Sequence, residues 1–194
     1  MIRIIAGTAG GRRLATPADS RTRPTSDRVR EAAFSVIAGW AGTAGDDPAD
    51  ALAGLAFLDL FAGSGAVALE AASRGASPVW AVESDERTAR LIRRNVADTR
   101  LEVTVVAKTA EVVAAGSPPH AFDIVWADPP YAVPGETVDA LLASLVTRGW
   151  VAPGGLVVVE RSSRGSRPVW PVDMEVLADR VYGETSLHLA TRST

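Results

Sequence analysis

The 194-residue sequence contains no cysteine and only two histidines, His120 and His188. Without cysteine the chain forms neither a disulfide nor a thiolate metal site, and two histidines provide few ligands for zinc. No run of 18 apolar residues occurs, and no charged leader precedes an apolar segment with a small-residue cleavage site. We therefore expect a soluble, cytoplasmic, monomeric protein that uses no metal and contacts no membrane.

Lysine is also nearly absent, since Lys108 stands alone against 19 arginines. The net charge of −3 argues against a uniformly basic nucleic-acid binder, but the charge is unevenly distributed. Residues 1–40 have a balance of +4, which leaves −7 on the other 154 residues. A basic arm on an acidic body is what a phosphate-contacting appendage on a catalytic domain would look like.

Short apolar runs alternate with helical patterns along most of the chain. The predicted strands are 55–60, 79–83, 102–106, 122–127 and 156–160, and the predicted helices are 66–74, 85–98, 110–115 and 136–148. Strict alternation predicts a parallel sheet with right-handed crossovers. Two further runs, 174–177 and 185–190, have no helix between them and predict an antiparallel hairpin that closes the sheet edge. The fold class is therefore α/β: a doubly wound, mostly parallel, seven-stranded Rossmann-like sheet.

The first residues predict a small extension to that sheet. Residues 2–6 and 12–16 flank a glycine-rich turn and predict a β-hairpin. Residues 28–37 have helical periodicity, with Thr25 or Ser26 as the N-cap, and residues 41–54 predict a loop. We predict a basic, RNA-contacting hairpin extension over residues 1–24 and a catalytic domain over residues 25–194.

The stretch FLDLFAGSG, residues 57–65, predicts a buried strand, a tight glycine turn and a helix start. Glu83 ends the next strand, 20 residues after Gly63, which is the separation at which a carboxylate binds the ribose hydroxyls of an adenosine-type cofactor. The turn departs from a dinucleotide fingerprint, because Ala68 occupies the third glycine position. With Asp59, Glu83 and Asp128 converging, the pocket suits a sulfonium cation and an amino group better than a pyrophosphate.

The sequence Asp128-Pro129-Pro130-Tyr131 follows the strand 122–127 directly. Two prolines stiffen the turn, so the Asp128 carboxylate and the Pro129 carbonyl become fixed acceptors, and the tyrosine ring offers a stacking face. This combination matches an exocyclic amino group on a heteroaromatic base. We expect direct in-line methyl transfer without a covalent enzyme intermediate, on a base extruded into the pocket. Neither histidine lies in a motif, so we assign no catalytic role to them.

The DPPY motif with DLFAGSG upstream resembles the amino-methyltransferases of nucleic-acid bases. The segments RIIAG, GRRL and TRPTSDRVREAAF are similar, more narrowly, to the RsmD family of bacterial small-subunit ribosomal RNA guanine-N2 methyltransferases, over nearly the whole chain. The resemblance implies methyl transfer from S-adenosyl-L-methionine, with S-adenosyl-L-homocysteine as product, to one guanine N2 of 16S rRNA in the small ribosomal subunit.

The resemblance also implies roles for individual residues. Asp128, Pro129 and Tyr131 would position and stack the target guanine. The predicted cofactor-binding residues are Asp59, Phe61, Ala62, Gly63, Ser64, Gly65, Glu83, Ser84, Thr109, Ala110 and Asp128. Relatives often have Asn or Asp where this chain has Thr109. The predicted RNA-contacting residues are Arg12, Arg13, Arg21, Arg23, Arg28 and Arg30.

Two other functions use part of the same pattern. A DNA adenine-N6 methyltransferase shares the DPPY chemistry, but such enzymes usually carry a recognition domain for which we expect no room in 194 residues. A non-catalytic Rossmann-type nucleotide-binding protein would keep the glycine turn but would not need Asp128 or Tyr131. Stabilisation by S-adenosylhomocysteine but not by NAD would distinguish the methyltransferases from that binding protein.

Overall fold

The computed structural model describes residues 2–17 and 26–194. Within them the strands are β1 (Ile2–Arg3), β2 (Arg13–Leu14), β3 (Phe57–Asp59), β4 (Val79–Val82), β5 (Thr104–Val106), β6 (Phe122–Ala127), β7 (Val151–Ser162), β8 (Met174–Tyr182) and β9 (Thr185–Arg192). The helices are α1 (Asp27–Ala41), α2 (Ala66–Ser73), α3 (Glu86–Thr99), α4 (Ala110–Ala114) and α5 (Gly135–Thr147). No helix among these residues is long and apolar enough to cross a membrane.

The main sheet has seven strands in the order β5-β4-β3-β6-β7-β9-β8. Strands β3 to β7 are parallel, and β9 lies antiparallel between β7 and β8. This confirms the predicted fold class. The chain winds from β3 outward to β5 and then returns to the other side of β3, so the direction of winding reverses between β3 and β6. Ligands of open α/β sheets bind at the carboxyl ends of the strands at such a reversal.

Helices cover both faces of the sheet, where its central strands β3, β4 and β6 are mostly apolar and buried. Val29, Phe34 and Ile37 of α1 pack with apolar residues of α2 and α3 on one face. Helices α4 and α5 pack on the other face, where Leu141 and Leu145 are buried. Ser26 is the N-cap of α1 and accepts a hydrogen bond from the Val29 N–H at 3.3 Å, as predicted, whereas the alternative cap Thr25 lies outside the described residues.

Two strands are longer than their sequence pattern indicated. Strand β7 begins at Val151 rather than at residue 156, because Val151 pairs with Phe122 before a register shift that the pattern does not reveal. Strand β8 continues past residue 177 to Tyr182. It is an edge strand, so it accommodates charged residues without losing its pairing with β9. Arg180 is exposed, whereas the Asp179 carboxylate lies 2.6 Å from Nδ1 of the buried His188.

The predicted N-terminal hairpin exists and is anchored to the main body. Strands β1 and β2 are antiparallel, and Ile4 and Leu14 pack against Leu69 of α2. The buried Glu70 carboxylate accepts hydrogen bonds from the N–H groups of Ile5 at 2.6 Å and of residue 6 at 3.1 Å. The proposed boundary after residue 24 lies outside the described residues.

Of the predicted loop 41–54, residues 42–54 contain turns and neither helix nor strand, as predicted, whereas Ala41 is the last residue of α1. Leu52 is buried, and its N–H donates to the Arg74 carbonyl at 2.8 Å. The Thr43 hydroxyl donates to the Ala51 carbonyl at 2.7 Å, so this segment is packed against the body around α2.

Candidate active site

The turn after β3 presents backbone rather than side chains. Gly63 and Gly65 have φ angles of +53° and +79°, in the left-handed region that favours glycine. A Cβ atom on Gly65 would lie 2.8 Å from Cγ2 of Ile92, whereas a Cβ on Gly63 would meet no atom within 4 Å among the described residues. Gly65 is therefore required by packing, and Gly63 faces open space where a ligand fits.

Glu83 contacts that turn directly. Its Oε2 accepts a hydrogen bond from the Gly63 N–H at 2.9 Å, and its Oε1 accepts one from the Asp85 N–H at 2.9 Å. The Ser84 hydroxyl lies 3.4 Å from the same Oε1. Two backbone donors thus hold the carboxylate at the carboxyl end of β4, beside the glycine turn. The predicted contact between Glu83 and ribose hydroxyls stays a prediction.

Asp59 is buried at the end of β3, beneath the turn. Its Oδ2 accepts a hydrogen bond from the Ala68 N–H at 3.2 Å, whereas its Oδ1 has no hydrogen-bond partner among the described residues. Burial, reinforced by the Asp128 and Glu83 carboxylates, raises the pKa of Asp59 to about 8 against the opposing effect of nearby backbone amides. The carboxyl group therefore has an unused acceptor position that a cationic ligand group would satisfy.

Thr109 and Ala110 lie at the carboxyl end of β5. The Thr109 hydroxyl caps α4 by accepting a hydrogen bond from the Val112 N–H at 3.3 Å. The Thr109 residue is exposed, whereas Ala110 is buried. The capping bond engages one acceptor position of the hydroxyl and leaves its proton available to a ligand.

The DPPY turn begins where β6 ends. Asp59 pairs with Trp126 across the neighbouring strands, so Asp128 follows two residues later at the same sheet edge. Its carboxylate is close enough to Asp59 to raise the pKa of that group. Pro129 is buried, and 59% of Tyr131 is exposed. The structure thus brings the DPPY turn and the glycine turn together.

A cavity of about 480 Å³ adjoins the DPPY turn. Its lining includes Tyr131, the buried Glu160 of β7, Tyr182 of β8 and Val29 of α1. Glu160 was not predicted as a site residue, although it ends its predicted strand as Glu83 ends another. A hollow of about 540 Å³ beside Ser144 on α5 contains none of the predicted site residues.

The predicted RNA-contacting arginines differ in exposure. Arg12, Arg13 and Arg28 are exposed, and the Arg12 guanidinium donates to the Asp98 carbonyl at 2.9 Å. Arg21 and Arg23 lie outside the described residues.

Arg30 is fully buried, and this burial contradicts its predicted contact with RNA. It donates to the Arg3 carbonyl and to Asp27 Oδ1, the latter at 3.0 Å, and its Nε lies 3.9 Å from Glu70. Sequence pattern alone did not separate Arg30 from its exposed neighbours, because the buried partner Glu70 is 40 residues away in the chain.

Asn95 of α3 was missed by the sequence analysis. Its side chain accepts a hydrogen bond from the Ala15 N–H at 2.9 Å and donates to the carbonyls of Ala15 at 3.0 Å and Ser64 at 2.9 Å. It therefore connects the N-terminal extension to the glycine turn, and an isolated polar residue on a helix carries no signal for this role.

A parallel sheet with a glycine turn and a DPPY turn meeting at one edge defines the class of Rossmann-like methyltransferases that use S-adenosylmethionine. The family described as "Conserved hypothetical protein 95" matches residues 2–191. The chain therefore belongs to this family, which is the RsmD family.

Individual relatives agree with that placement. The chain is 32% identical to "Ribosomal RNA small subunit methyltransferase D" of Escherichia coli (strain K12), over 98% of this chain and 90% of the relative. The solved structure of the Escherichia coli protein yhhF has a TM-score of 0.84 and 29% identity, and covers 100% of this chain and 98% of its own.

A more distant structure shares the fold alone. It is the Thermus thermophilus "16S rRNA N2 G1207 methyltransferase (RsmC) in complex with AdoMet and Guanosine", with 21% identity and a TM-score of 0.62. The match covers 90% of this chain and 44% of that one.

Proposed function

We propose that the protein transfers a methyl group from S-adenosyl-L-methionine to the exocyclic N2 of one guanine in 16S rRNA, within the small ribosomal subunit. The observation that carries this proposal is the meeting of the Ala62–Gly65 turn and the Asp128–Tyr131 turn at one sheet edge, in a chain of the RsmD family. The relative named as an rRNA small-subunit methyltransferase supports this choice of substrate.

The residues around the glycine turn fit S-adenosylmethionine. Glu83 would accept hydrogen bonds from the ribose hydroxyls, since a carboxylate held by two amides retains free lone pairs. The open side of Gly63 would admit the cofactor, and Asp59 would offer its unused oxygen to the cationic amino group. The cofactor supplies an electrophilic methyl group on a sulfonium. We include Phe61, Ser84, Thr109 and Ala110 in the proposed binding set from their positions at the same edge.

We assign the acceptor base to the DPPY turn. The Asp128 carboxylate and the Pro129 carbonyl would accept hydrogen bonds from the amino group, which is poorly nucleophilic while its lone pair is delocalised into the ring. Holding both N–H hydrogens would draw the nitrogen toward tetrahedral geometry and aim its lone pair at the methyl group. The exposed Tyr131 ring would stack on the base, which must leave its own stack to enter the site.

The exposed arginines Arg12, Arg13 and Arg28 would contact rRNA phosphates, with Arg21 and Arg23 in the same predicted set. We keep residues 1–24 as an RNA-contacting extension in function, although the hairpin is anchored on α2. S-adenosyl-L-homocysteine as product, and a cytoplasmic monomer without a catalytic metal, complete the proposal.

The test uses small-subunit particles from a strain that lacks the gene for this protein, purified protein and radiolabelled S-adenosylmethionine. We expect one methyl group per particle, recovered as N2-methylguanosine in 16S rRNA. Methylation of adenine, of 23S rRNA or of DNA instead would overturn the proposal.

A further inference from the structure

Glu160 has a buried carboxylate beside the DPPY turn, and the role assigned to it below rests on the proposed function. Glu160 is 3% exposed and contributes to the cavity next to the DPPY turn. A carboxylate this buried is uncommon, because removing its charge from water costs free energy unless polar groups compensate. Within β7, Val158 and Val159 are the last residues that belong to the apolar core on the two faces of the sheet, and Glu160 follows them.

Strand register places Glu160 beside Asp128. Ala127 pairs with Val159 in parallel β6 and β7, so Asp128 and Glu160 each lie one residue beyond that pair. Glu160 continues the alternation of Leu156 and Val158, whose side chains pack on the face covered by α1. The two carboxylates therefore border the same side of the sheet edge.

The cavity has the size and walls for a purine. Its volume of about 480 Å³ lies within the range of roughly 300–1,000 Å³ typical of small-ligand sites. The rings of Tyr131 and Tyr182 and the side chain of Val29 contribute aromatic and apolar surface, which suits the faces of a base. Glu160 adds an acceptor in the same cavity.

Guanine differs from the other bases that carry an amino group, because a hydrogen-bond donor lies next to its amino group. Its N1 carries a hydrogen adjacent to the 2-amino group, whereas N1 of adenine is an acceptor. If Asp128 and the Pro129 carbonyl accept from the amino group, a further acceptor is needed for N1–H. We infer that Glu160 provides it, and that Glu160 is the residue that selects guanine over bases lacking that hydrogen.

This role is compatible with contacts that Glu160 already makes within the protein. An ionised carboxylate has about four lone-pair positions, so an existing partner orients the group and leaves positions for the base. If a base has an acceptor at N1, that nitrogen and the carboxylate are both acceptors, so no hydrogen bond forms between them. Sites built on such buried hydrogen bonds reject analogues lacking the donor by large factors.

The experiment compares guanine with 2-aminopurine, which keeps the amino group but has no hydrogen at N1. Small-subunit particles are reconstituted with rRNA carrying either base at the methylated position, and kcat/KM is measured for wild type, Glu160→Ala and Glu160→Gln. Glu102→Gln is the matched control, because Glu102 is exposed and does not line that cavity. Thermal stabilisation by S-adenosylhomocysteine verifies that each variant is folded.

The guanine preference is the ratio of kcat/KM on guanine to kcat/KM on 2-aminopurine. We expect this ratio to fall at least about 100-fold from wild type to Glu160→Ala, because kcat/KM on guanine falls while the slow methylation of 2-aminopurine is unchanged. Glu160→Gln keeps an acceptor oxygen and should retain an intermediate preference, and the control Glu102→Gln should retain the full preference. Equal loss on both bases in Glu160→Ala, or an unchanged preference, would overturn the role of Glu160. Failure of the wild type on guanine particles would instead overturn the proposed function.

Discussion

The two ends of the proposed site, one for the cofactor and one for the acceptor base, are built from different parts of the chain. At the cofactor end, formed by Asp59, residues 62–65 and Glu83, a local strand-turn-helix unit and the next strand end meet through backbone hydrogen bonds. At the acceptor end, formed by residues 128–131, Glu160 and the cavity, side chains from α1, β7 and β8 come together. The cofactor end is thus locally encoded and rigidly bonded, whereas the acceptor end depends on tertiary packing.

The largest expected effect separates the two ends by removing Asp128. We expect Asp128→Ala to lower the methyl-transfer rate about 100- to 1000-fold, because a fixed group next to the reacting nitrogen is lost. Affinity for S-adenosylhomocysteine, measured by calorimetry, should change by no more than a few-fold. Asp98→Ala on the exposed side of α3 is the control. A parallel loss of cofactor affinity in Asp128→Ala would show that the two ends do not act separately.

The second prediction concerns the charge of Asp59 in the ligand-free protein. Its pKa is raised to about 8 from 3.8, so the folded state retains a proton that the unfolded state releases. The stability present below pH 4 should therefore decrease, by on the order of a few kcal/mol, as the pH rises to 8. Asp59→Asn should lack this dependence. The difference between its free energy of unfolding in urea and that of wild type should therefore increase in favour of the variant from pH 5 to pH 9. A constant difference across that range would refute the assignment.

The third prediction compares the two glycines of the cofactor end. Gly65→Ala should lower the free energy of unfolding by about 1–3 kcal/mol, since its Cβ would lie 2.8 Å from Ile92 in a left-handed backbone conformation. Gly63→Ala adds only the backbone strain but places a methyl group in the open space, so cofactor affinity should fall more than stability. Urea unfolding and calorimetry on both variants measure the contrast. A larger loss of stability in Gly63→Ala would reverse the account of this turn.

The smallest expected effect is on RNA binding. Arg12→Gln with Arg13→Gln should weaken particle binding and reduce the slope of log K against log salt by about 2, one per lost phosphate contact. Residue substitutions are preferable to deletion of the arm, because deletion would also expose Ile4 and Leu69. Arg94→Gln on exposed α3 is the matched control. If the slope of log K against log salt is unchanged in this variant, Arg12 and Arg13 do not contact RNA phosphates.

The features that could be predicted from the sequence are those encoded by residues close together in the chain. The alternation of apolar runs and helical patterns predicted the sheet. The spacing from Gly63 to Glu83 predicted a ribose-binding carboxylate, which stays a prediction, whereas the hydrogen bond from the Gly63 N–H to Glu83 was not predicted. The prediction that Arg30 contacts RNA was wrong, because Arg30 is buried beside Glu70. The two residues are far apart in the sequence, so no local pattern indicates their contact. Glu160 was overlooked because its cavity is completed by α1 and the β8–β9 hairpin, whose positions follow from the packed fold.

The most direct measurement of the central claim is mass-spectrometric mapping of 16S rRNA methylation in a strain lacking this gene. The account predicts that a single guanine loses its N2-methyl group, and that wild type restores it while Asp128→Ala does not. An unchanged methylation pattern in the deletion strain, or restoration by Asp128→Ala, would contradict the assignment of the DPPY turn as the place of methyl transfer.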